Sequence, residues 1–194
     1  VAMFLFSEIM GHEDIKEHLQ MAIRGDKPFH AYIFHGEVGC GKETMAKTFA
    51  AGLQCQSEIN NRPCGDCPSC KQMESGNQPD VIWVNRELSS IGVDDIREKI
   101  KSSIAIKPFS SPYKIFIVPE ADRMTEAAQN ALLKTIEEPP EYGIILLLTS
   151  NMDAILPTIQ SRCLKLEFRP LSTAAVEKYL IEKYDVVDYR ARTS

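Results

Sequence analysis

Between the apolar run His30-Ala31-Tyr32-Ile33-Phe34 and a helix-forming segment from Glu43 to Leu53 stands Gly36-Glu37-Val38-Gly39-Cys40-Gly41-Lys42. These are the residue types of a phosphate-binding loop. Glycines let successive backbone N–H groups curl around phosphate oxygens at a helix N-terminus, and the lysine answers the outer phosphates. In the usual pattern a Ser or Thr follows the lysine and holds Mg²⁺ with its hydroxyl. Here Glu43 takes that place. A carboxylate replaces the hydroxyl poorly and repels phosphate, so the loop is expected to be a relic, or to lean on Thr44 one residue later. Gly36, Gly39, Gly41, Lys42 and Thr44 are the candidate nucleotide-binding residues, and tight ATP and Mg²⁺ binding is not expected.

A second chemistry lies in the cysteines. Cys55, Cys64, Cys67 and Cys70 form C-x8-C-x2-C-x2-C, with Pro63, Gly65, Asp66 and Pro68 supplying tight turns. That spacing converges four sulfurs on a tetrahedral ion, and a closed four-thiolate set leaves no open position for water. The expectation is therefore one structural Zn²⁺. Two disulfides are the competing use of four cysteines, and a reducing compartment disfavours them. Cys40 and Cys163 lack ligand partners in sequence and read as small packing residues.

The elements that must position these groups alternate. Asp80 to Val84 reads as a strand, and Val93 to Ile104 as an amphipathic helix with Val93, Ile96, Ile100 and Ile104 on one face. Tyr113 to Val118 is a continuous apolar strand, and Thr125 caps a helix to about Glu138, stopped by Pro139-Pro140. Gly143 to Thr149 and Leu164 to Phe168 are two further strands, the latter after a short helical turn at Pro157 to Gln160. A helix from Ser172 follows the linker Arg169-Pro170-Leu171. Strand–helix alternation implies an α/β fold, a parallel sheet with helices on both faces.

Composition sets the outer limits. The chain has 194 residues, 44 % hydrophobic and 25 % charged, enough for one large core and the beginning of a second small domain. The apolar start, Val1 to Phe6, lacks the basic residues and cleavage site of a secretory signal, and no segment is long enough to span a bilayer. A cytoplasmic location is expected. A net charge of −5 argues against a generally basic nucleic-acid wrapper, while leaving local patches and basic partner subunits free to bring the chain to DNA.

Taken together, Phe6-Ser-Glu-Ile-Met-Gly-His12, His30 to Phe34, the loop, the four-cysteine insert, Ala128-Gln-Asn-Ala-Leu-Leu-Lys-Thr-Ile-Glu-Glu-Pro-Pro140 and Ser161-Arg162-Cys163 resemble the bacterial clamp-loader subunits of the AAA+ class. The resemblance covers nearly the whole chain. It implies an AAA+ nucleotide fold over 1–170 with a zinc module inserted at about 55–70. The start of a helical lid domain is expected over 171–194, and the family's C-terminal collar is expected to lie outside these 194 residues. Two branches compete: the ATP-hydrolysing gamma/tau type and the delta-prime type, whose nucleotide site is usually degraded.

The second nucleotide motif separates them. An active member ends an apolar strand in Asp-Glu, the aspartate holding Mg²⁺ and the glutamate orienting the attacking water. This chain has Phe116-Ile-Val-Pro119-Glu120-Ala-Asp122. Pro119 removes a second metal anchor, Glu120 keeps a vestigial catalytic carboxylate, and Asp122 reads as a solvated cap rather than a replacement ligand. Losses at both Glu43 and Pro119 favour delta-prime. The alternative is an active gamma/tau-type ATPase that uses Thr44; a zinc-bearing nucleotide kinase lacks any acceptor-site signature.

By the same resemblance, Ser161-Arg162-Cys163 presents Arg162 as an arginine finger to ATP held by a neighbouring subunit. Thr149, Ser150 and Asn151 occupy the place of a polar γ-phosphate sensor. Asp94, Asp95, Arg97 and Lys99 lie on a helix that faces the DNA chamber in clamp loaders, although a solvated face is the plainer reading. His12, His30 and His35 show no metal-ligand pattern. The expected function is that of a DNA polymerase III clamp-loader subunit. It would work with gamma/tau and delta subunits to place the sliding clamp on primer-template DNA, without hydrolysing ATP itself.

Overall fold

In a computed structural model, residues 5–25, 27–84 and 90–184 are described. The expected lid segment beyond 184 lies outside them. Five strands form one sheet: β1 (Ala31–Gly36), β2 (Val81–Trp83), β3 (Lys114–Val118), β4 (Gly143–Thr149) and β5 (Leu164–Phe168), in the order β2-β3-β4-β1-β5. Every pairing is parallel. Parallel strands need crossovers, and those crossovers cover both faces with helices.

Side-chain alternation divides the core. Tyr32, Phe34, Ile115, Ile117, Leu146 and Leu148 point to one face, against α1 (Glu13–Arg24) and α2 (Lys42–Gln54). Ile33, Phe116, Val118, Ile145 and Leu147 point to the other, against α4 (Val93–Ile96) and α6 (Glu126–Glu137). Being buried on both faces is why β3 and β4 read as unbroken apolar runs. Between α2 and β2, α3 (Pro68–Ser75) belongs to the cysteine insert, with Cys67 as its N-cap.

The expected single α-helix over 93–104 is corrected. It runs as α4, a π-helical turn at Arg97–Lys101, and α5 (Ser102–Ile104). Ile96, Ile100 and Ile104 repeat every fourth residue, so on a regular α-helix each step drifts about 40° around the axis. A wider turn counters that drift and keeps all three buried. Strand β2 is shorter than expected, three residues, although the flanking Asp80 carbonyl still accepts the Ile115 N–H and Val84 N–H still donates to the Ile117 carbonyl, both at 2.9 Å. The buried Asp80 carboxylate accepts the backbone N–H groups of Phe109 (2.6 Å), Ser110 (3.0 Å) and Ser111 (3.1 Å).

After β4 the chain makes the short helix α7 (Pro157–Gln160) and enters β5 at the sheet edge; α8 (Thr173–Tyr184) follows. Gln129 of α6 holds the segment leading into α7, donating to the Ala154 carbonyl (2.9 Å) and accepting from Leu156 N–H (2.7 Å). Among the described residues no helix is long and apolar enough to cross a membrane.

Candidate functional site

The glycine-rich loop joins the C-terminal end of β1 to α2. Gly39 and Gly41 have φ of 84° and 88°, a left-handed conformation that side-chain-bearing residues rarely adopt, and Gly41 is the N-cap of α2. Lys42 folds back over the loop, donating from Nζ to the carbonyls of Gly36 (2.5 Å) and Glu37 (2.8 Å). His12 braces the same loop from outside, its Nε2–H reaching the Cys40 carbonyl at 2.9 Å with the ring packed on Phe168. Nothing local in the sequence marks His12 for this. Burial pushes the His35 imidazole below its ordinary value, with Glu167 opposing and Lys165 and Lys42 adding. A neutral ring at a strand end agrees with packing.

Loop, β3 and β4 border a cavity of about 900 Å³ lined by Gly39, Gly41, Lys42, Glu43, Thr44, Pro119, Glu120, Asp122 and Ser150, among others. The two motifs read from sequence therefore meet in one place. Gly36 lies outside this lining, its carbonyl engaged by Lys42. Within the cavity the carboxylates are engaged by neighbours. Glu43 pairs with Lys47 one turn along α2 at 3.5 Å, and Glu120 with Arg123 at 2.7 Å. Asp122 is no solvated cap: it accepts from Thr149 Oγ1 at 3.0 Å. Thr149 is buried and also receives Asn151 N–H, leaving Ser150 as the member of that trio that lines the cavity. Across the loop, a cleft of about 460 Å³ is walled by Ile9, Met10, Pro170, Leu171 and Tyr179.

The four cysteines of the insert converge. Their Sγ atoms all lie within 4.8 Å of one another, with Cys55–Cys67 at 3.8 Å and Cys64–Cys70 at 3.9 Å. A tetrahedral Zn²⁺ with Zn–S of about 2.3 Å sets its sulfurs about 3.8 Å apart, so the donor set fits that ion. Backbone N–H groups point at the sulfurs: Asp66 and Cys67 at Cys64 (3.3 and 3.2 Å), Cys70 at Cys67 (3.4 Å), Ser57 at Cys55 (3.5 Å). Such donors favour thiolate. At Cys64 they and Ser57 outweigh burial and bring the thiol down to about 6, whereas burial pushes Cys55 and Cys70 up. A cation among the sulfurs would favour the thiolate form of all four, and the cluster can hold a metal ion.

Arg162 stands apart from both. In the parallel register Tyr32 pairs with Leu164 and Gly36 with Phe168, so the turn before β5 lies beside the start of β1. Six residues of strand, about 20 Å, separate that end from the loop. Arg162 Nε pairs with Glu137 at 3.1 Å, and Nη1 donates to the Thr158 carbonyl at 3.1 Å. Arg97 and Lys99 are exposed, Arg97 lying 3.8 Å from Asp94. Cys163 is buried.

This arrangement has relatives. A family model described as DNA polymerase III, delta subunit, matches residues 11–172. The chain is 38% identical over 171 residues to the DNA polymerase III subunit tau of Bacillus subtilis (strain 168), covering 88% of this chain and 30% of that protein. It is 32% identical over 175 residues to the tau subunit of Escherichia coli (strain K12), covering 90% of this chain and 27% of that one. The chain thus spans less than a third of the length of either relative. A DNA polymerase III gamma subunit-related protein of Thermotoga maritima has a TM-score of 0.62 at 25% identity, over 91% of this chain and 57% of that one. The RuvB Holliday junction branch migration motor of Thermotoga maritima has a TM-score of 0.60 at 16% identity, over 97% and 57%, and shows the fold alone. A glycine-rich loop on a five-stranded parallel sheet, matched by that family model across most of its length, makes this chain a member of the bacterial DNA polymerase III clamp-loader family of AAA+ proteins.

Proposed function

We propose that the chain is the nucleotide-fold part of a delta-prime-type clamp-loader subunit. It hydrolyses no ATP, holds one structural Zn²⁺ on Cys55, Cys64, Cys67 and Cys70, and lends Arg162 to ATP bound by a neighbouring subunit. Its partners are gamma/tau and delta subunits, acting on a sliding clamp and primer-template DNA. The observation that carries this reading is the pair Glu43 and Pro119, which border the same cavity at the two positions where Mg²⁺ needs a hydroxyl and a carboxylate. With neither ligand, the remaining Glu120 has no metal-bound phosphate to work beside, and Arg123 already engages it. Arg162 lies too far from this chain's own loop to serve it, which supports action across a subunit boundary.

One observation favours a second reading, an active gamma/tau-type ATPase: the curated relatives above carry tau names, and Thr44 lines the cavity one residue beyond the usual hydroxyl. Reconstitution separates the two. In a loader assembled from full-length subunits, Lys42→Ala in this subunit leaves ATP turnover unchanged if its site is idle, whereas a loss comparable to that from an active subunit's loop lysine establishes the ATPase reading. Arg162→Ala lowers total turnover in part, because several sites contribute, and lowers clamp loading further. Unchanged rates in an intact complex would leave Arg162 a surface charge.

A further inference from the structure

Arg162 has five N–H donors, and three are spent inside the chain. Nε pairs with Glu137 Oε1 at 3.1 Å, and Nη1 reaches the Thr158 carbonyl at 3.1 Å and Ser161 Oγ at 3.4 Å. Among the described residues nothing engages Nη2. The guanidinium is thus held at Nε and Nη1 with Nη2 open, at the rim of a cavity of about 500 Å³ that also has Phe29, His30 and Leu164 in its wall. A phosphate oxygen arriving at the outer Nη2–H takes a donor that neither Glu137 nor Thr158 uses.

The fastening is built into the backbone. Glu137 is the last residue of α6, immediately before Glu138-Pro139-Pro140 stops the helix. Gln129, two turns earlier on α6, brackets the segment leading into α7 through Ala154 and Leu156. The Glu137–Arg162 spacing is therefore set by two elements clamped together, not by two free side chains. An exposed ion pair formed by chance contributes little and orients nothing; this one joins two elements that Gln129 already holds together.

We propose that Glu137 is the positioning residue of Arg162, holding the guanidinium so that its Nη2 edge meets a phosphate of a nucleoside triphosphate carried by a second subunit. The inference rests on the reading of Arg162 as acting in trans. It requires an oxygen that accepts the Nε–H, not a negative charge as such. The test uses a loader reconstituted from full-length subunits in which only the site facing this subunit turns over, the others being disabled through their loop lysines. Arg162→Ala lowers kcat at that site by at least about 100-fold. Glu137→Ala lowers it by about tenfold, since a misaimed group costs one to two orders of magnitude, with KM for ATP within twofold. Glu137→Gln, whose amide oxygen still accepts Nε–H, stays within about threefold of the unmodified loader. The double variant Arg162→Ala/Glu137→Ala matches Arg162→Ala alone. A Glu137→Ala rate that is unchanged or raised while Arg162→Ala falls overturns the positioning role, as does a Gln variant as impaired as Ala or a double variant that is additive. An unchanged Arg162→Ala rate removes the underlying reading, and the inference with it.

Discussion

Restoring the two missing magnesium ligands should convert the cavity into a working nucleotide site, and the magnitude can be worked from its charges. A carboxylate at Glu43 sits about 5 Å from where the lysine-bound phosphates would lie, and at an effective dielectric near 20 each unit charge repels by about 3 kcal/mol. Glu43 is half exposed, so solvent screening reduces this to about 2 kcal/mol, or roughly 30-fold in affinity. Against that stand the Glu43–Lys47 pair, about 0.5 kcal/mol, and the benefit of an acid in the first turn of α2, again below about 1 kcal/mol. Glu43→Thr therefore costs about 1 kcal/mol of stability while removing about 2 kcal/mol of repulsion and supplying one metal ligand. Pro119→Asp supplies the second. By calorimetry at 25 °C the unmodified protein should bind Mg²⁺-ATP with Kd near or above about 1 mM, Glu43→Thr with a Kd in the tens of micromolar, and the double variant tighter still. A double variant no better than its parent would refute this account of the cavity, and micromolar binding by the unmodified protein would both refute it and return the chain to the gamma/tau branch.

The cysteine cluster should carry close to one zinc per chain by elemental analysis after purification without chelators; less than about half an equivalent would remove the metal from the module. Stripping that zinc should speed hydrogen exchange at residues 55–75 and leave the sheet amides protected, because α2, β1 and β4 bury their own core independently of the cluster. Cys163, buried and pushed up to about 12, should resist iodoacetamide at pH 8 in the folded protein and react only on unfolding, since its thiolate fraction there is about 10⁻⁴; rapid labelling under native conditions would contradict its placement. Asp80→Ala should strand the three N–H groups of the 109–111 turn, a loss of about 3 kcal/mol or more and a fall in Tm of roughly 8 °C by calorimetric scan; a shift under about 2 °C would mean that water replaces the carboxylate.

Much of this architecture is legible in the sequence because its signals are local. Ile144 to Leu148 announces a strand buried on both faces, Thr125 and Pro139-Pro140 bracket α6, and the x2 spacings of Cys64, Cys67 and Cys70 bring sulfurs together in the turn before α3 and its first residues. What was missed depends on register. The pairs Glu137–Arg162, Asp122–Thr149 and His12–Cys40 are 25 or more residues apart in sequence, so no local signal announces any of them. Asp122 reads as a solvated acid until β3 and β4 are neighbours, when Thr149 comes within reach. The π-helical turn has a signal, isoleucines every fourth residue, but the same spacing passes for an ordinary helix until all three must be buried at once.

On the proposed reading, the uniform direction of the strands decides how such a subunit is used. The glycine-rich loop follows β1 and Arg162 precedes β5, and a parallel pairing sends those two points to opposite ends of the sheet. An arginine from one end can reach a loop at the other end only between two subunits stacked head to tail. That contact is heterologous, and it generates a closed or open ring in which each member has a donor end and an acceptor end, never a two-fold dimer. The two ends are then free to be lost separately. A chain that keeps Arg162 framed by Glu137 while Glu43 and Pro119 stand in its own cavity remains a donor and stops being an acceptor. The pairs Glu43–Lys47 and Glu120–Arg123 fit that outcome: they neutralise within the chain the carboxylates that an occupied site would set against Mg²⁺ and phosphate, so the acceptor end needs only to pack.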